Sequence, residues 1–116
     1  MKIKEAESLA LELAKALNEK GVVGYKIARN FRMINEELKE YYQKKSDLFQ
    51  KYGTKDGDNL VIDKNSEGYK AYMEEIAPIE DQEVSFEFRK ITEEELEHSE
   101  LNAQQMMVII EYFMEV

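Results

Sequence analysis

The sequence predicts a mostly α fold with a minor two-stranded β element, an α+β protein built on a long central helix packed in an antiparallel helical hairpin. Three observations predict it. Apolar residues recur at helical spacing through most of the first half of the chain. One stretch alone, VSFEFRKI, alternates as a strand does. Two cap signatures near the end, T-x-x-E and N-x-x-Q, open further helices.

The first helix is expected over residues 3–19. Ile3, Ala6, Ala10, Leu13 and Leu17 follow spacings of 3 and 4, and Leu9 and Ala14 widen the face. Gly21 and Gly24 punctuate its end. The connection is short enough to return the chain antiparallel.

The second helix is expected from Tyr25 to Tyr52. Its seam runs Ile27, Phe31, Ile34, Leu38, Tyr41, Lys45, Leu48 and Tyr52, broken only by Lys45. As one rod it would span roughly 40 Å at 1.5 Å per residue. The first helix alone would not cover that length, so either the C-terminal elements or a second copy of the chain must.

Gly53 is placed to cap this helix in a left-handed conformation. Turn formers fill Lys55–Asn59, and Leu60–Ile62 reads as a short strand. Ser66 suits an N-cap for a third helix with Tyr69, Tyr72, Met73 and Ile76 on one face. Pro78 should end or kink it. In VSFEFRKI, Val84, Phe86 and Phe88 alternate with Ser85, Glu87 and Arg89, and pairing with Leu60–Ile62 would satisfy both backbones.

Residues 91–100, ITEEELEHSE, hold five glutamates and the one histidine of the chain. Thr92 and Glu95 form a capping box, and Glu93 and Glu94 fall in the first turn, where the helix dipole favours anions. Asn102 and Gln105 open a last helix with Met106, Ile109, Ile110 and Phe113 inward. The whole, 1–116, reads as a single domain: a helical hairpin over 3–52, a β/α/β-like segment over 59–91 and C-terminal helices over 93–114.

Composition narrows the function classes. With 43% hydrophobic and 35% charged residues, the chain carries enough apolar surface to fold. It has no cysteine, which excludes disulfides and thiolate metal sites. No apolar run reaches the length of a membrane span, and MKIKEAES lacks the apolar core of a signal peptide, so a cytosolic protein is expected. Residues 1–58 carry 12 Lys+Arg against 10 Asp+Glu, and residues 59–116 carry 4 against 15, so the net −9 arises as +2 and −11. An acidic half disfavours nucleic acid and anionic membranes and suits a basic protein partner. Solubility is its plainest role.

Candidate chemistry is sparse. Asp63, Asn65, Glu67, Gly68 and Glu74 fall at positions 1, 3, 5, 6 and 12 of a calcium loop, but Lys70 occupies an aliphatic position and the helical pattern from Gly68 leaves no loop to wrap an ion. His98 has no second His or Cys to work with and reads as a solvated loop residue. GVVG lacks the lysine and spacing of a phosphate loop. No enzyme, catalytic residue, metal or cofactor is expected. GVVGYKIARNFR can be read as the turn and second helix of a helix-turn-helix, with Lys26, Arg29, Asn30 and Arg32 toward DNA. The alternative is a basic face that pairs with the acidic half or with a partner. Among the clustered tyrosines, Tyr41, Tyr42, Tyr52, Tyr69, Tyr72 and Tyr112, Tyr42 lies off the seam and is the expected exposed one.

The stretch YKIARNFRMINEELKEYYQKKSDLFQKYG, followed by an acidic helix, FEFRKI and an apolar terminal helix, resembles a family of small proteins from phages and prophages of Gram-positive bacteria. The resemblance covers most of the chain and rests on compositional motifs. The family has no assigned activity, so no residue role carries over. What it implies is a phage or mobile-element accessory protein.

Three functions are therefore expected in order. The first is protein–protein binding without catalysis, most sharply as an anti-defence inhibitor of a host nuclease, with Glu80, Asp81, Glu83, Glu87, Glu93, Glu94, Glu97 and Glu100 as the acidic surface and Lys26, Arg29, Arg32 and Tyr42 as a basic and aromatic one. The second is a phage structural or assembly factor forming a homo-oligomer through Ile27–Tyr52 and the terminal helix. The third is a small DNA-binding regulator.

Overall fold

The computed structural model describes residues 1–115. Six helices and one β-hairpin follow in the order α1 (Ile3–Ala14), α2 (Gly21–Glu37), α3 (Lys39–Tyr52), β1 (Thr54–Asp56), β2 (Asn59–Val61), α4 (Glu67–Glu80), α5 (Glu93–Glu97) and α6 (Ala103–Tyr112). The molecule is elongated, 51 × 31 × 21 Å. α1 lies against α2, α4 and α6, while α4 covers α3 and α5 sits on α2.

The α+β expectation holds at this level, with corrections inside it. The stretch expected as one helix from Tyr25 to Tyr52 is two helices that meet at Leu38, whose ψ of 5° departs from helical values. Leu38 is fully buried there, and its amide still reaches Ile34 O at 2.9 Å. The seam survives the break: Ile27, Ile34, Leu38, Tyr41 and Leu48 are all core. Its odd member, Lys45, is half-buried because its ammonium meets Glu7 of α1 at 2.9 Å.

α1 stops at Ala14 rather than residue 19. Tighter three-residue turns follow, from Ala16 N to Leu13 O and from Glu19 N to Ala16 O. That change of pitch rotates Ala16 into the core in place of Leu17 and leaves Ala14 and Leu17 exposed. The turn closes on Gly24, where a β-carbon would lie 2.0 Å from Glu19 O. Gly21 takes the positive φ of 71° that starts α2.

The β element is also elsewhere. Residues 59–61 pair with 54–56, antiparallel, across a turn at Gly57 with φ 66°. The two-residue Gly57-Asp58 loop, with glycine at its first position, is the turn signal that selects this local hairpin over a distant partner. Gly53 is extended, with φ −79° and ψ 161°, so it does not cap α3 in the left-handed region. What requires glycine there is a close approach: a β-carbon would stand 2.4 Å from Phe49 O.

VSFEFRKI forms no strand ladder. It keeps the expected alternation, with Val84, Phe86 and Phe88 half-buried and the residues between them exposed. Its backbone is tied at three points instead. Val84 exchanges bonds with Met1, with its amide reaching Met1 O at 2.8 Å. Ile91 pairs with the C-terminal segment, its amide donating to Phe113 O at 2.7 Å. Between them, Arg89 is held by the side chain of Asn30.

The caps form as expected. Ser66 accepts from Tyr69 N, and Thr92–Glu95 and Asn102–Gln105 are both complete boxes. α4 runs on through Pro78 to Glu80, two residues past the proline. In α6, Met106 is half-buried and Ile109 is core, as is Phe113 just beyond, but Ile110 is 56% exposed and Met107 69%. No described helix is long and apolar enough to cross a membrane.

Candidate functional site

The most informative surface is the outer side of α2 and the segment beside it. Residues 87–99 run along α2 in the opposite direction. Glu87 and Arg89 stand by Arg29, Arg32 and Met33, Glu95 by Lys26, and Glu94, His98 and Ser99 by the start of α2 at 20–23. Two things fix this arrangement. The fully buried Asn30 donates to Arg89 O (3.1 Å) and accepts from Arg89 N (2.8 Å), doing for one residue what a β-ladder would do. Lys26 donates to both carboxylate oxygens of Glu95, at 2.9 and 3.1 Å, with both side chains less than a quarter exposed.

Glu95 is thus a structural residue twice over. Its carboxylate also accepts from Thr92 N at 2.9 Å to complete the capping box. The Lys26 hydrogen bond foremost, then the Thr92 amide, hold its carboxyl below the usual glutamate range. Glu93, Glu94 and Glu97 have no such duty. All are exposed, and none forms an ion pair among the described residues. Glu93 and Glu97 lie one helical turn apart. Glu94 walls a groove of about 410 Å³ with Val22 and His98. His98 is exposed, and its Nδ1 lies 2.8 Å from Glu94 O at the end of α5.

The other expected acidic residues do not join this patch. Glu80 is half-buried near the start of α1, accepting from the Tyr41 hydroxyl at 3.0 Å. Asp81 pairs with Lys4 at 3.2 Å and Lys2 at 3.6 Å, and the Lys4 ammonium leads in holding its carboxyl low. Glu83 meets the N-terminal ammonium at 3.0 Å. Glu87 lines the arginine cleft. Glu100 is exposed just after α5, where its amide donates to Glu19 at 2.8 Å.

The basic face is likewise rearranged. Lys26 is committed to Glu95, and Asn30 points into the core, so two of the four residues expected toward DNA are unavailable. Arg29 and Arg32, with Arg89 across from them, line a cleft of about 460 Å³ whose other walls are Met33, Glu36 and Glu87. Arg32 also bonds Glu36 at 2.9 Å, but both are exposed and such a pair exchanges readily. Arg89 lies 5.9 Å from the Tyr25 ring. Tyr42 is half-buried rather than exposed: it packs on the core and donates to Asn35 at 3.1 Å, and burial, then Glu7, raise its pKa. The exposed tyrosine is Tyr25.

A second polar cluster joins α1, α3 and α4. The Tyr41 hydroxyl is 3.1 Å from Glu7 and 3.0 Å from Glu80, and Glu7 also takes Lys45. Burial, then the Glu7 charge, push the Tyr41 phenol far above its ordinary range. With no buried side-chain polar atom left unpartnered among the described residues, the cluster works as a three-helix joint. In the region tested as a calcium loop, Asn65 N bonds Asp63 Oδ1 at 2.9 Å and Ser66 starts α4, so the last eight loop positions, 67–74, are helix.

Asn30, expected toward DNA, is instead a buried structural residue, and its sequence position carried that signal. It lies three after Ile27 and four before Ile34, inside the apolar seam, and a polar residue at a core position is itself the signal of a buried hydrogen-bonding task. Compared with family models, curated proteins and solved structures, the chain matches none.

Proposed function

We propose that this protein acts by binding another protein, without catalysis, and that Glu93, Glu94 and Glu97 on α5 form the contact. In its sharpest form it is a phage or mobile-element accessory protein whose acidic α5 enters the basic nucleic-acid channel of a host defence nuclease. One observation carries this reading. Of the four glutamates of α5, one is spent on holding the helix in place, and the other three are presented to solvent with no counter-cation among the described residues. A rigid, uncompensated acidic surface attracts a basic one over distance and gives fast, salt-dependent association. Glu100 extends it, while Glu80, Asp81 and Glu83 are engaged elsewhere and drop out of the contact.

The test is capture of proteins from a Gram-positive bacterial lysate at low and high salt, with identification by mass spectrometry. A basic nucleic-acid-binding enzyme should be held at low salt and released at high salt. Recovery only of virion proteins would instead favour the assembly reading. That second reading has its own observation: α6 shows solvent an apolar stripe of Ala103, Met107 and Ile110 behind its buried face. The DNA-regulator reading is weaker, because two of its four contact residues have partners inside the chain.

A further inference from the structure

The outer face of α2 joins two opposite charges. Val22, Tyr25, Arg29, Arg32 and Glu36 recur at spacings of 3 and 4 on the side opposite the buried Val23, Ile27, Asn30 and Ile34. At the start of this face stands the acidic α5. About ten residues on, roughly 15 Å along the helix, stands the cleft of Arg29, Arg32 and Arg89. Val22 beside α5 and Tyr25 between the two are each 56% exposed.

From this we infer that the arginine cleft receives α5 of a second copy, so that the chain pairs with itself about a two-fold axis near Tyr25 and Ala28. With two α2 helices antiparallel and face to face, the acidic end of each lies on the basic end of the other. Both contacts form at once, as an isologous interface requires. Ala28 is small and exposed at the centre, which permits close approach, and Tyr25 and Val22 supply the apolar middle. Charge complementarity selects this occupant. The cleft holds three guanidiniums against two carboxylates, and the chain itself presents three carboxylates without partners at the matching distance. The pairing is carried by exposed charges, so it weakens steeply as salt rises.

This pairing shares the α5 surface with the proposed function, and self-association and foreign capture are therefore read separately. Two variants are needed: Arg29→Glu with Arg32→Glu, and Glu93→Lys with Glu94→Lys and Glu97→Lys. All five residues are exposed, and circular dichroism confirms that each variant folds. Sedimentation at low salt should show the unaltered chain as a dimer that dissociates toward about 0.5 M salt. Each variant alone should associate at least about tenfold more weakly. An equimolar mixture of the two should dimerise again, since both contacts then join opposite charges. An unaltered chain that stays monomeric at low salt, a cleft variant that still dimerises, or a mixture that stays monomeric overturns the pairing. The cleft variant should still capture a foreign partner through α5. Loss of capture with an intact charge-swap result would sink the proposed function and leave the dimer standing.

Discussion

α2 and α3 share one apolar seam and differ in what covers them. α2 is enclosed on two sides, by α1 and by residues 87–99, and each contact is fixed by a specific group: Gly24 under Glu19, Asn30 on Arg89, Lys26 on Glu95. α3 is covered by α4 and touched by Glu7 of α1, and beyond its end the hairpin of 54–61 is exposed at every position. The same periodicity thus yields a tightly specified end and a loosely covered one. Period decides that a helix forms and which face is buried, while single polar residues and glycines decide how firmly it is held.

If that contrast is right, substitutions at the α2 end should cost far more than comparable ones beyond α3. Gly24→Ala should be the most damaging, about 3 kcal/mol or more, because its β-carbon would meet a backbone oxygen that cannot swing away. Urea unfolding measures it. Asn30→Ala should cost about 2–3 kcal/mol, since both backbone groups of Arg89 lose their partner at once. Hydrogen exchange at the Arg89 amide should speed up in parallel. Gly68→Ala, whose β-carbon would stand 2.7 Å from Tyr52 O, tests the junction of α3 and α4 and should cost about 1–2 kcal/mol. In the exposed hairpin, Leu60→Ser should change stability by less than about 0.5 kcal/mol. A large loss there would erase the contrast.

The Lys26–Glu95 tie adds a pH prediction. Glu95 titrates below its unfolded value, so the tie stabilises the fold above the ordinary glutamate range and its contribution is lost as pH falls through the lowered value. Lys26→Met should therefore melt below the unaltered chain at about pH 7 and by a smaller margin at about pH 3. An equal gap at both values would mean that Lys26 acts through packing of its stem alone.

Much of this was legible in the sequence. The two capping boxes were readable because each is a pair of residues three apart, and Ser66 because it stands just before an apolar helical pattern. The seam was readable because five of its members share one face. The break at Leu38 was not, because Leu38 sits on the seam and no glycine or proline marks it. The partner of Leu60 was misread because alternation tells that a strand-like segment has a buried face but not what pairs with its backbone. Val84–Ile91 found a side chain and two chain ends instead. Of the site, α5 was visible as a charge run, but which glutamate is spent internally depends on Lys26, 69 residues away in sequence.

That division of labour among the glutamates is best tested by setting Glu95→Gln against Glu93→Lys with Glu94→Lys and Glu97→Lys, scoring thermal stability and low-salt capture for both. Glu95→Gln should lower the melting temperature and keep the captured partner. The triple variant should melt within a few degrees of the unaltered chain, roughly the cost of its lost dipole interactions, and capture nothing. Equal capture by the triple variant, or loss of capture with Glu95→Gln while the fold stands, would contradict the assignment.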